Sequence, residues 1–177
     1  MKIPNVSYLV KNVLDATFYV RDEYRELDAF VEEQRQSDIA RRSRRTPILL
    51  TGQPGIGKTV YLTYCLVNRL AEGKPTVLSK SRSMRFAFLS SGVYSIPFDS
   101  FDDWVNPEVF AVIRGDLDGL SLFDLSSGES VNSLAPRWRT LVVSSPKPRE
   151  VRKWVKENHV NKFYMKTWNW QEVYVSR

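Results

Sequence analysis

The sequence has only one cysteine, Cys65, and one histidine, His159, among its 177 residues. A single cysteine excludes a disulfide framework and a cysteine-based zinc cluster, and the apolar helical pattern around Cys65 predicts a buried, unreactive thiol. His159 has neither Cys nor Asp beside it in the sequence. We therefore expect a surface residue there, rather than a metal ligand or a catalytic base.

The sequence also lacks a long apolar run. Its first residues, MKIPNVSYLV, include a proline at position 4 and fit neither a signal peptide nor a transmembrane helix. Hydrophobic residues make up 42% of the chain, which is too many for a disordered protein and enough for one domain with a real core. We expect a soluble, intracellular protein with no membrane partner.

The formal charge of +6 is placed unevenly along the chain. Residues 1–124 hold 16 basic and 16 acidic side chains, whereas residues 125–177 hold 10 basic and 4 acidic ones. The basic segment 125–177 either forms an ordinary solvated surface or faces a nucleic acid or an acidic protein partner. The sequence gives no indication of an oligomeric state.

Helical and strand patterns alternate along the chain. Residues 1–45 form a predicted N-terminal helical segment, with an apolar stripe at Val20, Tyr24, Leu27 and Val31. This segment ends in RRSRR (41–45), which fits a nuclear address, a phosphate-contacting patch or a solvated helix end. Residues 46–177 form the predicted core, which we expect to lack a C-terminal lid.

Short buried strands predict the fold class of this core. The alternation of strands and helices predicts an α/β fold with three layers, whose mostly parallel, doubly wound sheet carries an inserted β-hairpin. The predicted strands are 47–51, 76–79, 109–113, 120–124, 140–145 and 162–168, and the predicted hairpin is 85–98. The predicted helices of the core are Lys58–Ala71 and 147–158. In the first of these helices we expect five side chains to point inward: Val60, Tyr61, Tyr64, Cys65 and Leu70.

The stretch from Gly52 to Thr59 matches G-x-x-x-x-G-K-[ST], the Walker A motif or P-loop, between a predicted strand and a predicted helix. Its glycines let successive N–H groups turn toward phosphate oxygens at a helix N-terminus. Lys58 is expected to reach the β- and γ-phosphates, and Thr59 to ligate Mg²⁺. The predicted nucleotide-binding residues are Gly52, Gln53, Pro54, Gly55, Ile56, Gly57, Lys58, Thr59 and Val60.

A P-loop needs a carboxylate at the end of a neighbouring strand to position the magnesium ion. Asp124 closes the predicted strand LSLFD, and we prefer it to Asp116, which lies in a glycine-flanked DLDG turn. Leu125 stands where hydrolytic ATPases often carry a second acid, and Glu129 is the nearest acid. Ser144 and Ser145 end the next predicted strand, where they either sense the γ-phosphate or are ordinary turn residues.

Several segments together resemble one family. FYVRDEY, LLTGQPGIGKTVYLTYCLVNRL, LSLFDL, VVSSPKPREVRKWVKE and FYMKTWNWQEV occur in the order seen in Crinkler-type effectors and retrotransposon-hot-spot proteins. The resemblance implies a STAND-like ATPase in which Asp124 holds the magnesium and Ser144 and Ser145 lie at the sensor position. It also implies an effector role and nuclear localisation in a host cell. In the family, a lid and further domains follow NWQEVYVSR.

The main hypothesis is therefore a module that binds ATP or ADP with Mg²⁺, either as a slow ATPase or as a nucleotide-dependent switch. Lys58, Asp124 and Ser144 are the candidate catalytic residues, and Thr59 and Asp124 the candidate metal ligands. The main alternative is a nucleic-acid-binding module in which residues 125–177 bind the nucleic acid and the nucleotide tunes its affinity. A small-molecule kinase is less favoured, because no arginine-rich lid follows the P-loop.

Overall fold

Four helices and seven strands make up the part of the chain that the computed structural model describes, which is residues 19–41, 45–79, 84–97, 118–125, 138–145 and 149–175. The helices are α1 (Asp22–Arg41), α2 (Lys58–Ala71), α3 (Arg149–Asn158) and α4 (Trp170–Val175). The strands are β1 (Ile48–Thr51), β2 (Thr76–Ser79), β3 (Met84–Leu89), β4 (Gly92–Pro97), β5 (Leu120–Asp124), β6 (Arg139–Val143) and β7 (Asn161–Tyr164).

The strands form one sheet in the order β4-β3-β2-β5-β6-β1-β7. The five strands from β2 to β7 in this order are parallel, and β3 and β4 add an antiparallel hairpin at one edge. The predictions of an α/β fold, a mostly parallel sheet and a hairpin are therefore confirmed. The predicted strand at 109–113 lies outside the described residues.

Helices cover both faces of the sheet. Side chains alternate between the two faces of a strand, so Ile48 and Leu50 pack with α2 and with Leu27 of α1. Leu49 points the other way and packs against Val151 of α3. Strands that are buried on both faces in this way are typical of parallel sheets with helices on each side, and the arrangement is compatible with the predicted three layers.

Two local predictions are wrong. The last strand stops at Tyr164 rather than at residue 168, and it is followed by α4, which the periodicity did not predict. In α2 the buried side chains lie at positions 58, 61, 62, 63, 65 and 66, most of them on one helical stripe, whereas Val60 and Leu70 are about 40% exposed (41% and 38%). Their apolar character alone suggested burial.

Candidate functional site

The parallel strands bring three predicted segments to one edge of the sheet. Leu50 of β1 and Asp124 of β5 both align with Val143 of β6, so the residues that follow these three strands emerge side by side. Here an open pocket of about 340 Å³ is lined by Pro54, Gly55, Gly57, Lys58, Thr59, Val60, Asp124, Val143, Ser144 and Ser145. We call it the loop pocket. Ligands of α/β sheets bind at this carboxyl edge.

Three of the predicted nucleotide-binding residues do not line the loop pocket. The backbone carbonyls of Gly52 and Gln53 accept hydrogen bonds from Lys58. Ile56 is buried in the core beside α1 and α2. Gly52 and Gln53 therefore hold Lys58 through their carbonyls and Ile56 anchors the loop in the core, while the remaining six predicted positions line the cavity.

Backbone conformation explains why glycine occupies both ends of the loop. Gly52 has φ +148° and Gly57 has φ +96°, values that residues with a side chain rarely adopt. A Cβ atom at Gly52 would lie 2.7 Å from the carbonyl oxygen of Met165, and one at Gly57 would lie 2.6 Å from the Tyr24 hydroxyl. Gly57 is also the N-cap of α2 and offers no side chain to its N–H groups. The helix N-terminus therefore faces the loop without a side-chain cap.

Lys58 is held by neutral groups. Its side chain is only 7% exposed, and Nζ donates to the carbonyl oxygens of Gly52 (2.9 Å) and Gln53 (2.6 Å). Burial lowers the pKa of Lys58, and the nearby Asp124 carboxylate opposes that shift. Because an ammonium group has three donors, one N–H remains beyond these two carbonyls. An anion in the loop pocket would stabilise the charged form of Lys58.

A hydroxyl and a carboxylate meet across the loop pocket. Thr59 Oγ1, in the first turn of α2, donates to Oδ2 of Asp124 at 2.8 Å, although the two residues are 65 positions apart. Asp124 is buried at the end of β5. A hydroxyl and a carboxylate, both oxygen ligands, are the pair expected to hold Mg²⁺ beside a phosphate chain. The alternative carboxylates, Asp116 and Glu129, lie outside the described residues.

Ser144 and Ser145 border the same pocket. Ser144 is buried, its Oγ donates to the carbonyl of Ser145 (3.0 Å), and its N–H donates to the carbonyl of Leu50 in β1 (3.1 Å). Ser145 is exposed. Because β6 lies between β1 and β5, both serines lie between the glycine-rich loop and Asp124.

Sequence reasoning missed an arginine that supports the loop from behind. Arg21 is 1% exposed, and its Nη1 donates to the carbonyl of Ile56 at 2.8 Å. Its Nε and Nη2 donate to the two carboxylate oxygens of Glu172, at 3.0 and 3.1 Å. The Tyr24 hydroxyl donates to the carbonyl of Gly57 at 2.9 Å. Arg21 lies within the predicted helical segment, directly after Val20 of its apolar stripe, and nothing in the local pattern set it apart from a solvated arginine.

Glu172 joins this support to helix α4. The backbone N–H of Glu172 donates to Oδ1 of Asn169 (2.8 Å), and Oε2 of Glu172 accepts from the backbone N–H of Asn169 (2.9 Å). This reciprocal pair is a capping box at the start of α4. Hydrogen bonding from Arg21 lowers the pKa of Glu172, so the carboxylate form is favoured. One buried ion pair thus connects the glycine-rich loop with α4.

Two further expectations are confirmed within the described residues. Cys65 is buried, and burial raises the pKa of its thiol to about 12, so an unreactive side chain is expected. His159 is exposed in the turn after α3, where it has φ +49°. Most of the RRSRR segment, residues 42–44, lies outside the described part of the chain.

The sequence was compared with known proteins, and the length and apolar character of the helices with those of membrane spans. Among the described helices, none is long and apolar enough to cross a membrane. No model of a protein family matches the sequence. No curated protein matches it either.

Proposed function

We propose that the chain binds ATP with Mg²⁺ in the loop pocket and works as a nucleotide-dependent switch with slow hydrolysis. The observation that carries the proposal is the 2.8 Å hydrogen bond between Thr59 and Asp124, on the wall of a pocket that also contains Lys58. These two residues come from different elements, so a chance match to the G-x-x-x-x-G-K-[ST] pattern would not bring them together. Their meeting is what a phosphate-and-magnesium site requires.

Each residue has a role in this proposal. The N–H groups at the start of α2 bind phosphate oxygens, and Lys58 adds a charge-assisted contact to the terminal phosphates. Thr59 and Asp124 hold Mg²⁺, which neutralises phosphate charge when it is bound. Ser144 and Ser145, on the intervening strand, contact the γ-phosphate. This donor set fits the chemistry of a nucleoside triphosphate, and the pocket is open to water on one side.

The choice of ATP and of a family rests on sequence. The base-selecting Asn-Lys-x-Asp of GTPases is absent, since NKFY at 161–164 lacks the aspartate and forms strand β7. The order of motifs supports membership in the Crinkler-type and retrotransposon-hot-spot group of STAND-like ATPases, and with it a nuclear, effector-like role. The mostly parallel sheet, with β6 between β1 and β5, supports the same proposal.

Thermal unfolding with and without nucleotide tests the proposal. At an ATP concentration about 100 times Kd, linkage predicts about 2.7 kcal/mol of added stability, which is visible as a raised Tm. Lys58→Ala should remove this increase, because it deletes the charged contact to phosphate. Lys153→Ala, an exposed lysine on α3, is the matched control and should keep it. GTP should give a smaller increase than ATP.

Two results would overturn the proposal. Wild-type protein whose Tm does not respond to MgATP has no nucleotide site. A Lys58→Ala variant that keeps the full response binds nucleotide somewhere other than the loop pocket.

A further inference from the structure

A second concave surface lies beside the loop pocket, on the α3 face of the sheet. In the parallel pairing of β1 and β7, Leu49 aligns with Lys162 and Thr51 with Tyr164, so these four side chains share one face. Helix α3 packs over the neighbouring part of this face through Val151. Between α3 and β7 a groove of about 290 Å³ remains open.

The rim of this groove is positively charged. Arg152, Lys156 and Lys162 line it, and no aspartate or glutamate is among its lining residues. Arg152 and Lys156 lie four positions apart on α3, where two like charges destabilise a helix rather than support it. The stability of α3 therefore does not explain their placement. We call the surface defined by Arg152, Lys156 and Lys162 the basic groove.

Several cations elsewhere in the described part of the chain form ion pairs with acidic side chains. Arg139 is paired with Asp38, Arg35 with Glu32 and Asp118, and Lys153 with Glu157. Within the described residues, Arg152, Lys156 and Lys162 form no ion pair. Three unneutralised cations around a concave surface attract an anionic partner.

An exposed aromatic ring indicates which kind of anionic partner the basic groove binds. Tyr164 is 66% exposed and lines the groove at the end of β7, and the exposed Ser145 lines the same groove. Surfaces that bind single-stranded nucleic acid combine a positively charged groove with aromatic rings on which bases stack. A duplex keeps its bases stacked inside and presents none of them to Tyr164. An acidic peptide would use the cations but would gain no base stacking.

We propose that the basic groove binds single-stranded nucleic acid, with Arg152, Lys156 and Lys162 on phosphates and Tyr164 against a base. Ser145 also lines the loop pocket, so the bound strand would lie directly beside the proposed nucleotide site. The groove does not depend on that site, because none of its three cations is among the residues that line the loop pocket. Loss of one kind of binding would leave the other measurable.

Fluorescence anisotropy of a labelled single-stranded oligonucleotide tests the groove in the full chain. With three phosphate contacts, log Kd should depend on log salt with a slope magnitude of about 2, from roughly 0.7 for each contact on a single strand. The variant Arg152→Gln/Lys156→Gln/Lys162→Gln should lose most of this slope and bind much more weakly. Tyr164→Ala should bind roughly 5- to 150-fold more weakly, and Tyr164→Phe should bind like wild type.

A charge-matched variant supplies the control. Arg25→Gln/Lys74→Gln/Lys153→Gln also removes one arginine and two lysines, all of them at exposed or half-exposed positions outside the groove. It should bind the oligonucleotide like wild type. The groove variants should still unfold cooperatively and should keep the MgATP-induced rise in Tm, which separates this proposal from the nucleotide proposal.

Four results would overturn the groove. The first is that the wild-type protein does not bind the oligonucleotide at low salt. The second is that the groove variant and the charge-matched variant lose equal amounts of affinity for the oligonucleotide. The third is that Tyr164→Ala leaves the affinity unchanged and that duplex binds as tightly as single strand. The fourth is displacement of the oligonucleotide by polyglutamate of equal charge at equal concentration. That result would assign the groove to an acidic protein.

Discussion

The two edges of the parallel sheet bury charged side chains in different ways. At the amino edge, Arg139 at the start of β6 donates to Asp38 of α1 at 2.7 Å. Asp38 also accepts from the N–H (2.9 Å) and the hydroxyl (3.1 Å) of Thr46, just before β1. At the carboxyl edge, Lys58 donates to two neutral carbonyls beside an open pocket. Arg139 thus meets an opposite charge, whereas Lys58 beside the pocket donates to neutral dipoles; the buried Arg21–Glu172 pair lies behind the loop and is not among the residues that line the pocket.

The difference separates a structural role from a candidate binding role. The Asp38–Arg139 pair ties α1 and the start of β1 to β6, and each charge already has its partner. Within the part of the chain that the structure describes, the Lys58 ammonium donates to backbone carbonyls, so a ligand anion is the group that would complete its surroundings. Burial of charge by itself therefore does not indicate a binding site, whereas a buried charge held by neutral groups next to a cavity does.

The largest effect is expected at the amino edge. Asp38→Ala leaves Arg139 buried without its carboxylate and should lower the free energy of unfolding by about 3–5 kcal/mol. Urea denaturation measures this loss. Glu33→Ala removes the same charge from an exposed position of α1 and should change stability by less than about 0.5 kcal/mol. Because Asp38 lies at the edge opposite the loop pocket, MgATP should stabilise Asp38→Ala by as much as it stabilises the wild type. Loss of this stabilisation by MgATP would contradict the difference between the two edges.

A smaller loss is expected at the ion pair behind the glycine-rich loop. Glu172→Gln keeps the shape of the side chain but removes its charge, and a hydrogen bond to a charged group contributes about 1.5–3 kcal/mol. Unlike Asp38→Ala, this change reaches the loop through Arg21 and Ile56, so it should also weaken MgATP binding. Calorimetric titration of both variants with MgATP compares them. Equal ATP affinities would show that Arg21 supports only the fold.

The same pair gives a pH dependence with a defined sign. The pKa of Glu172 is lower in the folded chain than its ordinary value of 4.5, so the folded state favours the carboxylate. Its stabilisation is complete above about pH 4.5 and is lost as the pH falls through the lowered folded-state pKa. Wild type should therefore lose more stability than Glu172→Gln between pH 5 and pH 3. Parallel losses in urea denaturation at the two pH values would contradict this assignment.

The sequence predicted the loop, α2 and the strand ending at Asp124 because each is encoded by neighbouring residues. Glycines at positions of positive φ, a buried apolar run and a helical stripe are local signals. The link between Arg21 and Glu172 joins residues 151 positions apart, and no periodicity indicates it. Helix α4 was missed for a related reason: it is only six residues long, and its N-terminus depends on the Asn169–Glu172 cap.

The metal site should show an effect on ligand binding rather than on folding. Asp124→Asn removes the carboxylate from the Thr59–Asp124 pair, so ATP should bind roughly tenfold more weakly with Mg²⁺, equivalent to about 1.4 kcal/mol. Binding without the metal should be nearly unchanged. Titrations with Mg²⁺ and with a chelator measure the difference. Asp116→Asn is the control, and the reverse ranking of the two variants would move the metal site to the DLDG turn.

The smallest effect is expected on turnover. Tight binding of phosphates lowers the energy of the bound ground state, and only interactions that strengthen in the transition state raise kcat. Leu125, next to Asp124, packs in the core with Leu49 and Val151 of α3, so the position that often carries a water-activating acid is apolar. No arginine is among the described residues that line the loop pocket, and an arginine finger contributes about 10³–10⁵ in rate.

We therefore expect kcat far below the ~10 s⁻¹ that is typical of enzymes, with Lys58→Ala lowering an already very low rate. Steady-state phosphate release from ATP measures it. Under the proposed function, a bound nucleotide that is hydrolysed this slowly would bias the protein between two states according to its difference in affinity for them. Arg21, which connects the loop to α4, is the contact through which such a bias would travel. Turnover of several per second that disappears in Lys58→Ala would show instead that this edge of the sheet contains a complete catalytic set.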